Sequence, residues 1–452
     1  MGVFTGQDTN DPSHLTLHAE YLPNIRQVSL QISVPGETTP NISLSESRRA
    51  VSVAVTLPGQ RDGDGENSET IKLPARVNEG SRRVLSGTRV PAPQRDGDAV
   101  SVRELSYRMQ VDDPELTQWS ALDEHMDSFV PWSAADMGPS TKLRCGQCES
   151  VILDVPNASS TAPDVNGDNA PQSQTVGWAW KDLPSGNWAE MMDFWHCHKP
   201  DPHEEDRDKG ASGHLIEDEN SKVKGYGASN QVLATPGTVL VDVATFLASD
   251  LECKRLKKVT KQRPDGSPLP LEEELLCDGC NTLIGVEDTI AKGWRLFKTS
   301  LSAGFPSVES PHELDWERHQ TELVVAAHLL ELIERESARR FIVHCGEKDG
   351  LLIWVFNPDM RYSNTSSQHA IASQRALKVF FQAIANVEDL LHPEPGKTSS
   401  LSLEELRLPS NTYESLVTAL ETSNNRLPQS ARTFQDSWRV GILHRFERPK
   451  RM

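Results

Sequence analysis

Apolar and polar residues alternate near the start of the chain. Val28, Leu30, Ile32 and Val34 recur with period two, as do Val51, Val53 and Val55, and then Leu105, Tyr107, Met109 and Val111. Successive strand side chains point to opposite faces, so this alternation predicts half-buried β-strands. Polar, turn-rich stretches such as PGQRDGDGENSE and VPAPQRDGDA separate them, with no helical period between. The pattern predicts an antiparallel β-sandwich or barrel over about residues 10 to 120, inside an amino-terminal β-rich domain spanning 1–140.

A second region, 141–305, places short strand candidates at 151–155, 238–247 and 294–298 between the polar insertions NASSTAPDVNGDNAPQSQ, HEEDRDKGASGHLIEDENSK and KQRPDGSPLPLEEE. The third region, 306–452, is of mixed α/β type. Leu323, Val324, Ala327, Leu330 and Ile333 follow the helical period within 316–340. The strands FIVHC and LLIWVF flank the turn GEKDG. A second long helix is expected over 368–391, with Ala376, Leu377, Phe380, Ile384 and Val387 on one face. A shorter helix over 412–421 and a closing strand in WRVGILHRF complete the series. The expected class is α+β and β-rich, without a repeat of fixed period.

Composition narrows the partners. The 452 residues are 37% hydrophobic and 25% charged, and no run reaches the roughly 20 apolar residues of a membrane span. An integral membrane protein is therefore not expected. MGVFTGQDTNDPSHL has neither the basic start nor the apolar stretch of a secretory signal, and Gly6 stands where a myristoylation motif wants Ser or Thr. With 65 acidic against 46 basic residues the net charge is -19. Such a surface disfavours direct binding to nucleic acid and steers basic protein partners instead.

Seven cysteines, an odd number with two close pairs, favour reduced thiols and metal over disulfides. RCGQC holds Cys145 and Cys148; LCDGC holds Cys277 and Cys280. In a CxxC turn both thiolates converge on one side of a tight loop, so two such turns can complete a four-cysteine structural zinc site. Residues 149–276 lie between the pairs, far more than in a zinc ribbon, so the site must staple distant segments. Each knuckle leads into an apolar strand candidate, VILDV or LIGV. The second, with LIG and GW following, is similar over about 25 residues to the zinc-bearing half of small β-rich folds such as the Yippee group.

The stretch WAEMMDFWHCHKP offers further ligands. Trp188, Met191, Met192 and Trp195 form one stripe of a two-turn helix, introduced by Asn187 and Glu190 in the manner of a capping box. That stripe reads as core. Pro200 and Pro202 stop the helix and leave His196, Cys197 and His198 at its exit, so Cys197 and His198 are alternative ligands beside Cys145 and Cys148. Cys197, near two imidazoles, is also a candidate nucleophile, as is Cys345 beside His344. On a strand, however, His344 and Cys345 point to opposite faces. Cys253 has no neighbour to activate it. No GxxxxGK[ST], GxSxG, HExxH or dinucleotide glycine fingerprint is present.

Taken in order, RCGQC, NWAEMMDFWHCHKP, LCDGC with LIG and GWRLFKTSL, and LLIWVFNPDMRYS resemble the HECT-like family of ubiquitin-conjugating-enzyme-binding proteins. The likeness runs from about Leu143 onward. It implies a ubiquitin-protein ligase type of protein that binds a ubiquitin-conjugating enzyme and ubiquitin, acts on a protein substrate, and works in cytoplasm and nucleus. It also implies an alternative, a non-catalytic zinc-stabilised adaptor or chaperone for a messenger RNA 3'-end processing factor. Carried onto this chain, the metal positions are Cys145, Cys148, Cys277 and Cys280, with Cys197 and His198 as a further pair. One departure stands out. A HECT ligase carries its acceptor cysteine near its C-terminus, and here no cysteine follows Cys345.

Overall fold

The computed structural model describes residues 15–36, 38, 40–55, 67–87, 102–113, 129–156, 177–183, 232–260, 273–307, 310, 313–365, 370–393, 403–435 and 437–448. The chain is β-rich and forms two compact units, Met1–Phe129 with Glu336–Met452, and Val130–Arg335. Among the described residues no helix is long and apolar enough to cross a membrane.

The first unit begins with β1 (Thr16–Leu22), β2 (Gln27–Pro35), β3 (Asn41–Leu44), β4 (Ala50–Val55), β5 (Asn67–Lys72), the short helix α1 (Ser81–Ser86) and β6 (Val102–Gln110). The period-two residues do what alternation requires. Val28, Leu30 and Ile32 of β2, with Leu105, Tyr107 and Met109 of β6, pack against Val51, Val53 and Val55 of β4 in one core. A layer of β1, β2 and β6 therefore faces the separate three-stranded sheet β3-β4-β5.

The second unit holds β7 (Lys142–Cys145), β8 (Val151–Leu153), β9 (Ala179–Asp182), β10 (Thr238–Val241), β11 (Thr245–Ala248), β12 (Leu256–Thr260), β13 (Glu273–Cys277), β14 (Leu283–Asp288), β15 (Gly293–Phe297), β16 (Leu301–Pro306), β17 (Leu314–Glu317) and most of helix α2 (Thr321–Glu336). The strand candidate 238–247 is a hairpin, because the amide of Asp242 bonds the carbonyl of Thr245 and turns the chain. Helix α2 is shorter than the expected 316–340: Trp316 already belongs to β17. Two sheets result, β12-β13-β14-β15-β11-β10-β9 and β17-β16-β7-β8. One core joins them, with Leu143, Ile152 and Leu301 from the smaller sheet against Phe246, Leu275, Ile284 and Leu296 from the larger.

That core encloses a lysine. Lys298, fully buried, donates from Nζ to the carbonyls of Pro131 at 2.9 Å and Trp132 at 3.0 Å, and lies 5.2 Å from the Phe246 ring centroid. It thereby holds Trp132, whose backbone is left-handed at φ 54. Burial lowers the Lys298 pKa to about 7, against the opposing pull of Asp242, Asp182 and Asp136.

The chain then returns to the first unit with β18 (Arg340–His344), β19 (Gly350–Asn364), β20 (Gln374–Ile384), α3 (Glu388–Leu391), β21 (Leu403–Arg407), α4 (Ser410–Asn425), β22 (Thr433–Phe434) and β23 (Trp438–His444). The helix expected over 368–391 is strand β20 followed by the single turn α3. β20 lies between β19 and β23 and buries residues on both faces: Ala376, Leu377, Val379, Phe380 and Phe381. A doubly buried strand loses its alternation and can imitate a helical stripe. The amino-terminal strands join the same sheet, ordered β22-β23-β20-β19-β1-β2-β6, with His18 opposite Asn364 and Glu20 opposite Tyr362.

Across that sheet lies a charge pair whose carboxylate is buried. Lys378 of β20 donates to both oxygens of Glu20 of β1, at 2.8 and 2.9 Å, and His18 Nε2 lies 3.0 Å from Glu20 Oε1. Burial alone would raise the Glu20 carboxyl; Lys378 and His18 override it and hold the group well below the usual carboxylate range.

Each of these two lysines has a measurable consequence for stability. Lys378→Met should lower unfolding free energy by about 3–5 kcal/mol in urea titrations, because it strands a buried carboxylate, whereas Glu20→Leu with Lys378→Met should restore most of the loss. A single variant as stable as wild type would refute the pairing. For Lys298, the unfolded chain retains the proton up to its ordinary pKa of 10.5, while the folded chain releases it near 7. Stability from this group therefore rises with pH across that window, by at most about 1.4 kcal/mol per unit. Lys298→Met should remove the rise; parallel urea midpoints for variant and wild type at pH 7 and 9 would contradict it.

Candidate metal centre

The two CxxC turns are built alike. β7 ends on Cys145, whose amide bonds the Ser150 carbonyl at 2.9 Å, while the Glu149 amide returns to the Cys145 carbonyl at 3.0 Å. β13 ends on Cys277, with the same bonds to Thr282 and from Asn281, both 2.8 Å. The residue after the second cysteine is left-handed in each turn, Glu149 at φ 63 and Asn281 at φ 60. This reversal swings both thiols of a turn to the same side.

Gly279 lets the turns approach: a Cβ there would stand 3.2 Å from Ser150 Oγ and 3.5 Å from Cys148 Sγ. Cys145 Sγ lies 3.6 Å from Cys280 Sγ, and Cys148 Sγ lies 3.5 Å from Cys277 Sγ. All four sulfurs lie within 4.8 Å of one another. Sulfurs arranged tetrahedrally about 2.3 Å from one ion stand roughly 3.8 Å apart, so the spacing suits a single cation.

Electrostatics agree with that use. Burial pushes the Cys145 thiol up to about 12 and raises Cys277, whereas the Ser150 hydroxyl and amide lower Cys148 to about 6. Without a cation the buried thiols keep their protons at neutral pH; a bound cation favours all four as thiolates. The donor set is compatible with a structural metal. Two hydroxyls complete the environment, Ser150 at 3.3 Å from Cys148 Sγ and Thr282 at 3.1 Å from Cys280 Sγ. Sequence reasoning missed them, yet both turns spell C-x-x-C-x-[S/T], in CGQCES and CDGCNT. Arg318 further braces the first turn, donating to the Gly146 carbonyl at 3.0 Å.

The other candidates stand elsewhere. The Trp188 to Trp195 stripe, His196, Cys197 and His198 lie outside the described residues. Cys345, half-buried, follows β18 in the first unit, whereas the cysteine cluster belongs to the second. Both ring nitrogens of His344 are engaged: Nε2 with Glu405 at 2.8 Å, and Nδ1 accepting from the Gly346 amide at 3.1 Å. Cys253 packs against the core beside the cluster, and burial pushes its thiol up to about 12. The six described cysteines form no disulfide.

With two β-rich units and a four-cysteine cluster in view, the sequence was compared with known proteins. The profile of the HECT-like ubiquitin-conjugating enzyme (E2)-binding family matches residues 20–440, nearly the whole chain. The chain belongs to this family. It is 22% identical over 330 residues to an uncharacterized protein of Schizosaccharomyces pombe, covering 71% of this chain and 78% of that protein. It is also 22% identical over 348 residues to an uncharacterized protein of Saccharomyces cerevisiae, covering 74% and 85% respectively. No solved structure matches.

The cluster yields a direct expectation. Protein purified without added metal should carry about one ion per chain by elemental analysis. Cys277→Ser should lose it and unfold at a lower temperature, because a structural ion contributes folding free energy. A metal-free chain with an unchanged melting temperature would remove the basis for a metal centre.

Proposed function

We propose that this protein binds a ubiquitin-conjugating enzyme and promotes transfer of ubiquitin from it to a protein substrate. The match to an E2-binding family over residues 20–440 carries the reading. We assign the structural ion as zinc, held by Cys145, Cys148, Cys277 and Cys280, since four soft thiolates at tetrahedral spacing select zinc over the hard cations. Zinc supplies folding energy here and takes no part in transfer. The proposed setting is cytoplasm and nucleus.

Ubiquitin passes, in this reading, directly from the conjugating enzyme to the substrate. Two observations support the direct route. No cysteine follows Cys345, and the imidazole beside Cys345 is already committed to Glu405 and the Gly346 amide. A thioester relay needs an activated acceptor thiol.

A single-turnover assay tests this. Conjugating enzyme pre-loaded with ubiquitin is mixed with the purified protein, and products are resolved with and without reductant. The expected result is faster discharge without a reductant-sensitive adduct on this chain. An adduct lost in Cys345→Ala or Cys197→Ala would replace the direct route by a covalent one. Unchanged discharge across a panel of conjugating enzymes would end the transferase reading and leave a zinc-stabilised adaptor, for which a messenger RNA 3'-end processing factor is the partner to test.

A further inference from the structure

Among the described residues β12 is the terminal strand of the seven-stranded sheet, paired with β13 on one side only. Which backbone groups face the open side follows from one bond. The Asp278 amide donates to the Arg255 carbonyl, so by the antiparallel alternation Arg255, Lys257 and Val259 direct their amides and carbonyls toward β13. Those of Leu256, Lys258 and Thr260 point away from the sheet. Before the left-handed Arg255 (φ 55), the Lys254 amide donates to the Ile152 carbonyl at 2.8 Å. That pairing precedes β12 and stops at Lys254. Beyond it, Leu256, Lys258 and Thr260 have no backbone partner among the described residues.

The charge on this edge runs against the chain. Lys254, Arg255, Lys257 and Lys258 fall within five consecutive residues of a protein whose net charge is -19. Lys258 is held by Glu287 at 2.7 Å and Glu273 at 3.2 Å, and Lys254 lies 3.6 Å from Asp154. Arg255 and Lys257 are exposed and meet no carboxylate within ion-pair distance among the described residues. Val259 beside them is 39% exposed and adds an apolar contact. Lysines on an edge commonly guard it against pairing with its own kind. The same cations attract a strand of opposite charge, and the outward main-chain groups of β12 can supply its hydrogen bonds.

We propose that the β12 edge docks an extended acidic segment of a partner protein by strand addition. The segment pairs its main chain with Leu256, Lys258 and Thr260 and places carboxylates against Arg255 and Lys257. This inference concerns a surface of the second unit and does not depend on the ubiquitin reading.

Fluorescence anisotropy with the full chain tests it, using fluorescein-labelled octapeptides of alternating Glu and Val, the same peptide N-methylated at alternate residues, its Lys-Val counterpart, and an oligouridylate. The Glu-Val peptide should bind. Affinity should fall about tenfold or more on N-methylation, which removes strand donors and keeps the charge, and by a similar factor in the double variant Arg255→Glu, Lys257→Glu. The Lys-Val peptide should not bind. Equal affinity for the N-methylated peptide would show charge attraction without strand addition and overturn the proposal. So would oligouridylate binding as tightly as Glu-Val, an unaffected double variant with wild-type circular dichroism, or no binding of any probe, which would leave a guarded edge only. Because the N-methylated arm uses the wild-type protein, a variant that misfolds does not remove the test.

Discussion

Four thiols drawn from two turns that lie far apart in sequence must converge on one small volume. The second unit is organised around that constraint. One turn closes the β7-β8 hairpin of the smaller sheet, and the other closes the β13-β14 hairpin of the larger, so the cysteine cluster brings the two sheets together beside a shared core of Leu143, Ile152, Phe246, Leu275 and Leu296. Everything near the turns serves the approach: the left-handed residues that reverse each knuckle, the missing side chain at Gly279, and the Ser150 and Thr282 hydroxyls set toward sulfur.

A unit stapled in this way presents its surface from fixed positions. Recognition sites on rigid elements hold their geometry better than sites on free loops, which suits a family defined by what it binds.

Much of this was legible in the sequence, for identifiable reasons. Period-two alternation gave β2, β4 and β6 because each has one face on a core and one on solvent. The CxxC spacing named the four clustered cysteines because the turn that converges two thiols is local. β20 misled because it is buried on both faces, so its residues lost the contrast that marks a strand. No local pattern could show that β1 lies beside β19, or that Lys378 would reach Glu20 across it; both arise from pairing between segments more than 300 positions apart. Ser150 and Thr282 could have been found, since the hydroxyl recurs two residues after each second cysteine.

The first unit is discontinuous, and this matters during synthesis. Leu17 meets Thr365 at a separation of 348 residues. At a ribosomal rate of about 5–20 residues per second, β1 waits roughly 20–70 s for its neighbour β19 to be made. Throughout that interval its far edge is an unpaired strand, while the entire cysteine-bearing unit emerges and can close on itself. The middle of the chain can therefore close before its beginning is complete, and a nascent chain halted before β19 emerges would hold the second unit tethered to an open sheet edge, the kind of surface that chaperones shield in the cell.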